Sequence, residues 1–141
     1  MAERLVVMEA EGPLNPQHLR SKLDTNGCGA VVSFVGLTRE MEGDERVLRL
    51  EFDAWKDRLN SVLERLATEA MTDFGVTAVA MAHRTGSVGP NEPIVAIHVG
   101  SPHRKEAFTG CSWLIDGLKR QAPLWKKEVT TAGETWKEGL G

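Results

Sequence analysis

The chain has 141 residues, of which 41% are hydrophobic and 26% charged, and its net charge is −3 at neutral pH. This length suits one domain over residues 1–141 and excludes a second full domain. No stretch approaches the ~18 apolar residues that span a membrane, and two isolated cysteines exclude a disulfide framework or a zinc site. We therefore expect no membrane partner, no metal and no cofactor. Because the first residues lack a signal peptide's apolar core, we also expect a cytoplasmic protein.

The first third of the chain predicts a strand, a helix and a second strand. Residues 5–8 form a short apolar run, and Asn15 followed by Pro16 is typical of a helix start. A β-rich run over 29–35 predicts a buried strand. The polar stretch 37–45 predicts a mobile loop.

The middle of the chain predicts further alternation of strands and a helix. Hydrophobic residues alternate with polar ones over 48–52, which indicates a strand. Asp53 is expected to cap a helix that contains Trp55 and ends near Gly75. Two strands, over about 76–83 and 94–99, should follow.

The last third predicts a basic helix, a strand over 124–130 and a short tail that contains Trp136. The helix should bury one stripe of side chains at helical spacing: Ala107, Phe108, Cys111, Leu114, Ile115 and Leu118. Trp113 points away from this stripe and suits either packing beneath a strand or a subunit interface. The order of the elements indicates the α+β class.

Positive charge is concentrated in the segment 101–128, which has six basic and three acidic residues, so that it carries +3 and the remainder −6. A local cationic cluster on an acidic chain indicates a site for an anionic small molecule or an acidic peptide end. Lys119 and Arg104 border the apolar stripe of the basic helix. Lys119 can therefore either extend its ammonium to water or point into a pocket.

The two ends of this segment offer different kinds of anion contact. His103 and Arg104 fall in the first turn of the helix, where free N–H groups and the helix dipole favour a phosphate or carboxylate. The alternative is that they only support the helix start and pair with surface acids. Lys126 and Lys127 are consecutive in a strand, so only one of them can readily face a given site.

Several function classes lose support because their motifs are missing. The sequence has no phosphate-binding P-loop, no Gly-x-Ser-x-Gly elbow, no His-Glu-x-x-His motif and no dinucleotide fingerprint. Nucleic-acid binding is disfavoured because the chain is acidic, lacks tyrosine and shows no aromatic and basic stacking pattern.

Six stretches, taken in order, make the chain resemble the large, catalytic subunit of molybdopterin synthase. The resemblance covers nearly the whole chain, and its His-Arg-x-x-Ala-Phe, Asp-x-Leu-Lys and Pro-x-Trp-Lys-x-Glu series is highly specific. The matching stretches are residues 29–39, 50–52, 83–86, 101–108, 115–119 and 122–128, followed by Gly133 and Trp136.

The resemblance implies an α/β-hammerhead fold and a sulfurtransferase. It implies that precursor Z, a cyclic pyranopterin monophosphate, receives two sulfurs from the Gly-Gly thiocarboxylate of a small ubiquitin-like sulfur-carrier subunit. A homodimer within a heterotetramer is also implied. Lys119 and Lys126 would be catalytic, and the substrate-binding residues would be Leu37, Thr38, Arg39, His103, Arg104, Lys127 and Glu128. The alternative function is a noncatalytic adaptor that binds the tail of a ubiquitin-like protein.

Overall fold

The computed structural model of the protein describes residues 2–55 and 57–137, so the predicted domain over 1–141 includes six positions outside the described residues. Nine strands and three helices are found in these two ranges. They are β1 (Leu5–Ala10), α1 (Pro16–Ser21), β2 (Ala30–Leu37), β3 (Met41–Glu42), β4 (Glu45–Ala54), α2 (Leu59–Phe74), β5 (Ala78–Arg84), β6 (Gly86–Val88), β7 (Pro93–Ser101), α3 (Arg104–Gln121), β8 (Leu124–Thr130) and β9 (Gly133–Lys137). The α+β class is confirmed.

The first sheet has the strand order β1-β5-β7-β2, in which β1 and β5 are parallel and the other pairs antiparallel. Alternation along β5 gives its two faces different side chains. Val79 and Met81 pack against the core beneath α2 and α3, whereas the alanines of β5 pack against α1. The small alanine side chains let the short helix α1 lie close to the sheet.

The second sheet has the order β3-β4-β8-β9, and β6 also pairs with β4. All of its pairings are antiparallel. The tail predicted around Trp136 is therefore a strand, β9, hydrogen-bonded to β8. Part of the predicted loop 37–45 is likewise a short hairpin, since β3 pairs with the start of β4.

Two helix boundaries agree with the capping residues predicted from the sequence. A third prediction, the cap at Asp53, is wrong. Asn15 caps α1, because its side chain accepts a hydrogen bond from the His18 amide at 3.1 Å. Gly75 ends α2 with φ of 71°. The predicted cap Asp53 instead lies in β4, and α2 begins at Leu59, because β4 continues to Ala54 to complete its pairing with β8.

Helix α3 buries most of the predicted stripe but not all of it. Ala107, Cys111, Leu114 and Leu118 lie in the main core, whereas Phe108 is 62% exposed. Trp113 is partly buried and its ring centroid lies 5.2 Å from that of Phe74, so it packs as one alternative predicted, although its ring partner belongs to helix α2 and not to a strand. No helix in the described ranges is long and apolar enough to cross a membrane.

Gly110 controls how closely α3 approaches the core. A Cβ atom at this position would lie 2.7 Å from Val76 Cγ1, and Val76 is buried and β-branched. We expect Gly110→Ala to lower the free energy of unfolding by about 1–2 kcal/mol, because the clash outweighs the helix propensity of about 1 kcal/mol that alanine gains. Urea denaturation measures the change. Thr109→Ala, at an exposed position of the same helix, is the matched control, and a Gly110→Ala protein more stable than wild type would contradict this account.

Candidate functional site

A cavity of about 350 Å³ lies where the two sheets meet the C-terminal end of α3. Its apolar walls include Phe34, Leu50, Phe52, Ile94, Val95, Ile115 and Leu118. Its charged lining consists of Arg39, Glu42, Lys119, Lys126, Glu128 and Lys137, which gives an excess of two positive charges. The cavity therefore combines apolar surface with a positive field, as an anionic organic molecule requires.

Strand pairing decides which side chains of β8 face the cavity. Lys126 lies opposite Phe52 of β4 and Lys137 of β9, and all three line the cavity. Glu128 lies opposite Leu50 in a second row on the same face. The alternation of side chains along a strand thus assigns Lys126 and Glu128, but not Lys127, to this site.

Two of the four cations in the cavity have no carboxylate partner among the residues that the structure describes. Lys137 Nζ lies 3.7 Å from Glu128 Oε1, and Arg39 lies 3.6 Å from Glu42. Within residues 2–55 and 57–137, neither Lys119 nor Lys126 has a carboxylate within 4.0 Å. These two ammonium groups are therefore available to a ligand.

Partial burial changes the pKa of Lys126. Desolvation lowers the pKa of this half-buried amine, the Glu128 carboxylate opposes that change, and the charges of Lys137 and Arg39 add to it. An amine with a lowered pKa gives up its proton more readily than an exposed lysine does, which suits a group that transfers protons. Lys119, by contrast, is an exposed residue in the last turn of α3.

The loop after β2 supplies Leu37, Thr38 and Arg39. The pairing of β2 with β7 shifts register between Gly36 and Leu37, and such a bulge redirects the side chains that follow it. The Thr38 backbone is fixed by bonds to Glu92 and Asn91 at 3.0 and 2.8 Å. Its hydroxyl is buried and has no hydrogen-bond partner among the described residues, although it borders the cavity.

His83 was missed as a site residue by sequence reasoning. It lies at the end of β5, is 2% exposed and forms part of the cavity lining. Its Nδ1 atom lies 2.7 Å from the Arg84 carbonyl oxygen, and its ring packs edge-on against Phe52. Burial lowers the pKa of His83 to about 4, and the charge of Lys126 acts in the same direction.

Lys137 was also missed, because the sequence around it was interpreted as a tail. Recognising the strand Gly133–Lys137 would have placed Lys137 beside Lys126. Within the described ranges no group of three or more His, Cys, Asp or Glu side chains is placed to hold a metal ion.

Lys127 lies on the opposite face of the second sheet and does not line the cavity. Its Nζ atom lies 2.9 Å from Glu51 Oε2, 3.7 Å from Glu134 Oε2 and 5.6 Å from the Trp136 ring centroid. The hydrogen bond to Glu51 raises the pKa of Lys127. The substrate-binding role predicted for Lys127 therefore has no geometric support within this chain.

His103 and Arg104 are also outside the cavity. Both lie at the N-terminal end of α3, and Lys119 comes fifteen positions after Arg104 along the helix, a rise of about 22 Å. The resemblance places them in one substrate site with Lys119 and Lys126, but within a single chain they lie at the opposite end of α3. Six of the nine predicted site residues do meet in the cavity: Leu37, Thr38, Arg39, Lys119, Lys126 and Glu128.

Comparison with known proteins gives consistent matches in sequence and structure. Residues 9–121 match the MoaE protein family. The chain is 40% identical over 136 residues to the molybdopterin synthase catalytic subunit of Caulobacter vibrioides, covering 95% of this chain and 89% of that protein. It is 41% identical over 111 residues to the corresponding protein of Arabidopsis thaliana, covering 79% of this chain but 56% of that longer protein.

Solved structures extend the likeness to the fold. The crystal structure of molybdopterin synthase from Staphylococcus aureus superimposes with a TM-score of 0.86 at 27% identity, covering 97% of this chain and 98% of that chain. A complex of subunits 1 and 2 of molybdopterin-converting factor from Helicobacter pylori contains a similar fold, with a TM-score of 0.76 at 24% identity and coverage of 96% and 91%.

The two adjacent lysines should affect stability with opposite signs. Lys126→Met removes a half-buried cation whose pKa is lowered, so we expect the free energy of unfolding at pH 7 to rise by about 0.5 kcal/mol. In the wild type, the same penalty should shrink as pH rises above the folded-state pKa of Lys126 and disappear above the ordinary value of 10.5, because the unfolded chain binds more protons between the two. Lys127→Met removes the contacts with Glu51 and Glu134 and should lower the free energy of unfolding. Urea denaturation of both proteins makes the comparison, and changes of the same sign would contradict the assignment of the two faces.

Acid should destabilise the protein through His83. Because the folded-state pKa is about 4 and the ordinary value 6.5, the unfolded chain binds more protons between these values. The contribution of His83 to the free energy of unfolding is at its maximum above pH 6.5. About 3 kcal/mol of that contribution is lost by pH 4. Urea titrations at pH 7, 5.5 and 4 measure the loss, and His83→Gln should reduce the slope. The free energy of unfolding of that variant should still depend on pH, because burial also lowers the pKa of His98. Equal slopes in wild type and variant would contradict the prediction.

Proposed function

Because this chain belongs to the MoaE protein family, we propose that its cavity is the site at which two sulfurs are inserted into precursor Z. Its curated relatives are catalytic subunits of molybdopterin synthase, and the chain is an enzyme of molybdopterin synthesis. The proposal concerns the finer chemistry, namely the substrate, the sulfur donor and the residues that act. The charge and shape of the cavity support it.

The observation that carries the proposal is the pair of uncommitted lysines, Lys119 and Lys126, in an apolar cavity. The substrate phosphate and the donor thiocarboxylate are both anions and repel one another when they approach. Two ammonium groups with no described carboxylate within 4.0 Å reduce this repulsion, and the apolar walls weaken solvent screening of the attraction. A neutral or cationic substrate would gain nothing from this arrangement.

Each sulfur insertion requires two exchanges of bonds. A carbon–sulfur bond forms on the substrate while a carbon–oxygen bond breaks, and the displaced oxygen leaves as water or stays on the phosphate. The donor's acyl–sulfur bond breaks, and a water molecule supplies the oxygen of the released carboxylate. Lys126, with its lowered pKa, suits proton transfer to the departing oxygen. Lys119 acts either as a second proton donor or as a transient acceptor of the donor acyl group.

His103 and Arg104 enter the proposal through a second copy of the chain. They cannot reach the cavity of their own chain, about 22 Å away along α3. A homodimer that brings the N-terminal end of one α3 to the cavity of the other copy would give the substrate phosphate two more donors. The predicted homodimer thus accounts for residues that one chain leaves outside its cavity.

The sulfur donor in this proposal is a small ubiquitin-like subunit with a C-terminal Gly-Gly thiocarboxylate. The Helicobacter pylori complex of subunits 1 and 2 is a precedent for a two-subunit assembly. A cavity of about 350 Å³ is too small for a folded domain but admits an extended glycine tail. The folded body of the small subunit would then dock outside while its terminal anion meets Lys119 and Lys126.

A noncatalytic adaptor that binds a ubiquitin-like tail is the alternative function. It explains the positive charge of the cavity. It does not explain a half-buried amine with a lowered pKa beside apolar walls, because a binding site is served equally well by an exposed lysine. Turnover separates the two functions.

The decisive test is a reaction reconstituted from precursor Z, thiocarboxylated small subunit and this protein, followed by mass spectrometry. We expect the pterin product to contain two sulfurs. Lys119→Ala should lower the rate by a factor of about 10² or more while the melting temperature stays near that of wild type, because Lys119 is exposed. Arg120→Ala, next to it and outside the cavity, is the matched control and should retain the wild-type rate. Tail binding without sulfur transfer by the wild-type protein would favour the adaptor.

A further inference from the structure

His83 lines the cavity because it belongs to a row of paired residues that runs across the first sheet. Across the first sheet it pairs with Val95, which in turn pairs with Gly36. Directly paired residues share one face, so the three form a strip of the cavity lining. Gly36 keeps this strip open, because a Cβ atom there would lie 2.6 Å from Val95 Cγ1.

The hydrogen bonding of His83 fixes which ring nitrogen carries the proton. A carbonyl oxygen only accepts, so Nδ1–H donates to the Arg84 carbonyl at 2.7 Å. The ring is neutral, since burial lowers its pKa to about 4. In neutral imidazole the second nitrogen, Nε2, is therefore an acceptor.

The Nε2 atom has no hydrogen-bond partner within residues 2–55 and 57–137. The other buried histidine on this sheet, His98, uses both nitrogens, which lie 2.6 Å from Ser33 Oγ and 2.8 Å from the Pro16 carbonyl oxygen. Nε2 of His83 is not among the fully enclosed polar atoms that lack a partner, so it keeps some contact with solvent. Both ring nitrogens of His98 therefore have partners within the fold, whereas Nε2 of His83 remains available to accept a hydrogen bond from a ligand.

A second neutral group with no partner lines the same cavity. The Thr38 hydroxyl is fully enclosed, lies on the loop after Gly36 and has no hydrogen-bond partner among the described residues. The cavity lining also includes Phe34 and Phe52, and the Phe52 ring packs edge-on against the His83 ring. Flat aromatic walls with a few polar groups suit a planar heterocycle that has its own N–H donors.

We propose that His83 binds the substrate through Nε2, which accepts a hydrogen bond from an N–H group of the pterin ring. This inference rests on the proposed function, because the pyranopterin supplies the donor. The cations then hold the anionic groups, while His83 orients the ring by a contact that depends on the position of a donor. A ring system with an acceptor in that position is rejected, because two facing acceptors cannot form a hydrogen bond.

Asparagine and glutamine substitutions separate the two nitrogens of His83. The amide that His83→Asn introduces reaches about as far as Nδ1 and can keep the bond to the Arg84 carbonyl, but it leaves the Nε2 position empty. The longer side chain in His83→Gln reaches the Nε2 position and loses the bond to Arg84. We expect His83→Asn to bind precursor Z roughly fivefold to tenfold more weakly than wild type with a similar melting temperature. His83→Gln should bind within about twofold of wild type with a lower melting temperature.

Calorimetric titration of the full-length protein with precursor Z, together with thermal unfolding, tests the inference. His98→Gln is the control for loss of a buried structural histidine and should lower the melting temperature without a change in affinity. Tighter binding by His83→Gln than by His83→Asn supports the inference, and equal or weaker binding overturns it. If His83→Asn does not fold, the affinity of His83→Gln for precursor Z decides. A value within about twofold of wild type supports the inference, and weaker binding overturns it. A wild-type protein that fails to bind precursor Z contradicts the proposed function and this inference together.

Discussion

The register of β8 against β4 is the constraint on which the site depends. It sets Lys126 opposite Phe52 and Glu128 opposite Leu50, so that the cavity receives one lysine of an adjacent pair and the outer face receives the other. A shift by one residue would exchange these roles, because successive side chains point to opposite faces. On the outer face Glu51 binds both Arg49 and Lys127 at 2.9 Å, which adds a polar reason for the observed register. The chemistry of the cavity is thus specified partly by contacts that lie outside it.

Much of this arrangement was accessible from the sequence, because the signals were local. Alternation identified β4, helical spacing identified α3, and consecutive lysines in a strand implied that one would be excluded from the site. The family resemblance then supplied the loop residues Leu37, Thr38 and Arg39, which composition alone described as mobile. The strand, the helix and the alternation of the lysines were predictable because a residue's environment there is decided by its own element and the next one along the chain.

The missed features depend on pairing between elements. The strand β9 has five exposed residues and lacks a strong hydrophobic pattern, so only its pairing with β8 brings Lys137 to the cavity. Asp53 was expected to cap a helix, but the pairing of β4 with β8 extends the strand through this position. His103 and Arg104 show a further limit, because the sequence reports that a segment is basic without reporting how far its helix carries the charges apart. Hydrophobic periodicity in a single sequence does not tell how far apart two elements lie in the fold.

The exposed edge strand β9 links the charge of the cavity to a local folding equilibrium. Edge strands with few buried side chains open at a lower free-energy cost than the central strands they pair with. Each opening of β9 withdraws Lys137 from Glu128, which leaves that carboxylate to face Lys126 alone. The excess positive charge of the cavity then falls from two to one, and the proton affinity of Lys126 rises. Hydrogen exchange at the backbone amides of β9 therefore reports on the charge state of the cavity. Of the five residues in this strand, only Lys137 contributes a side chain to the cavity.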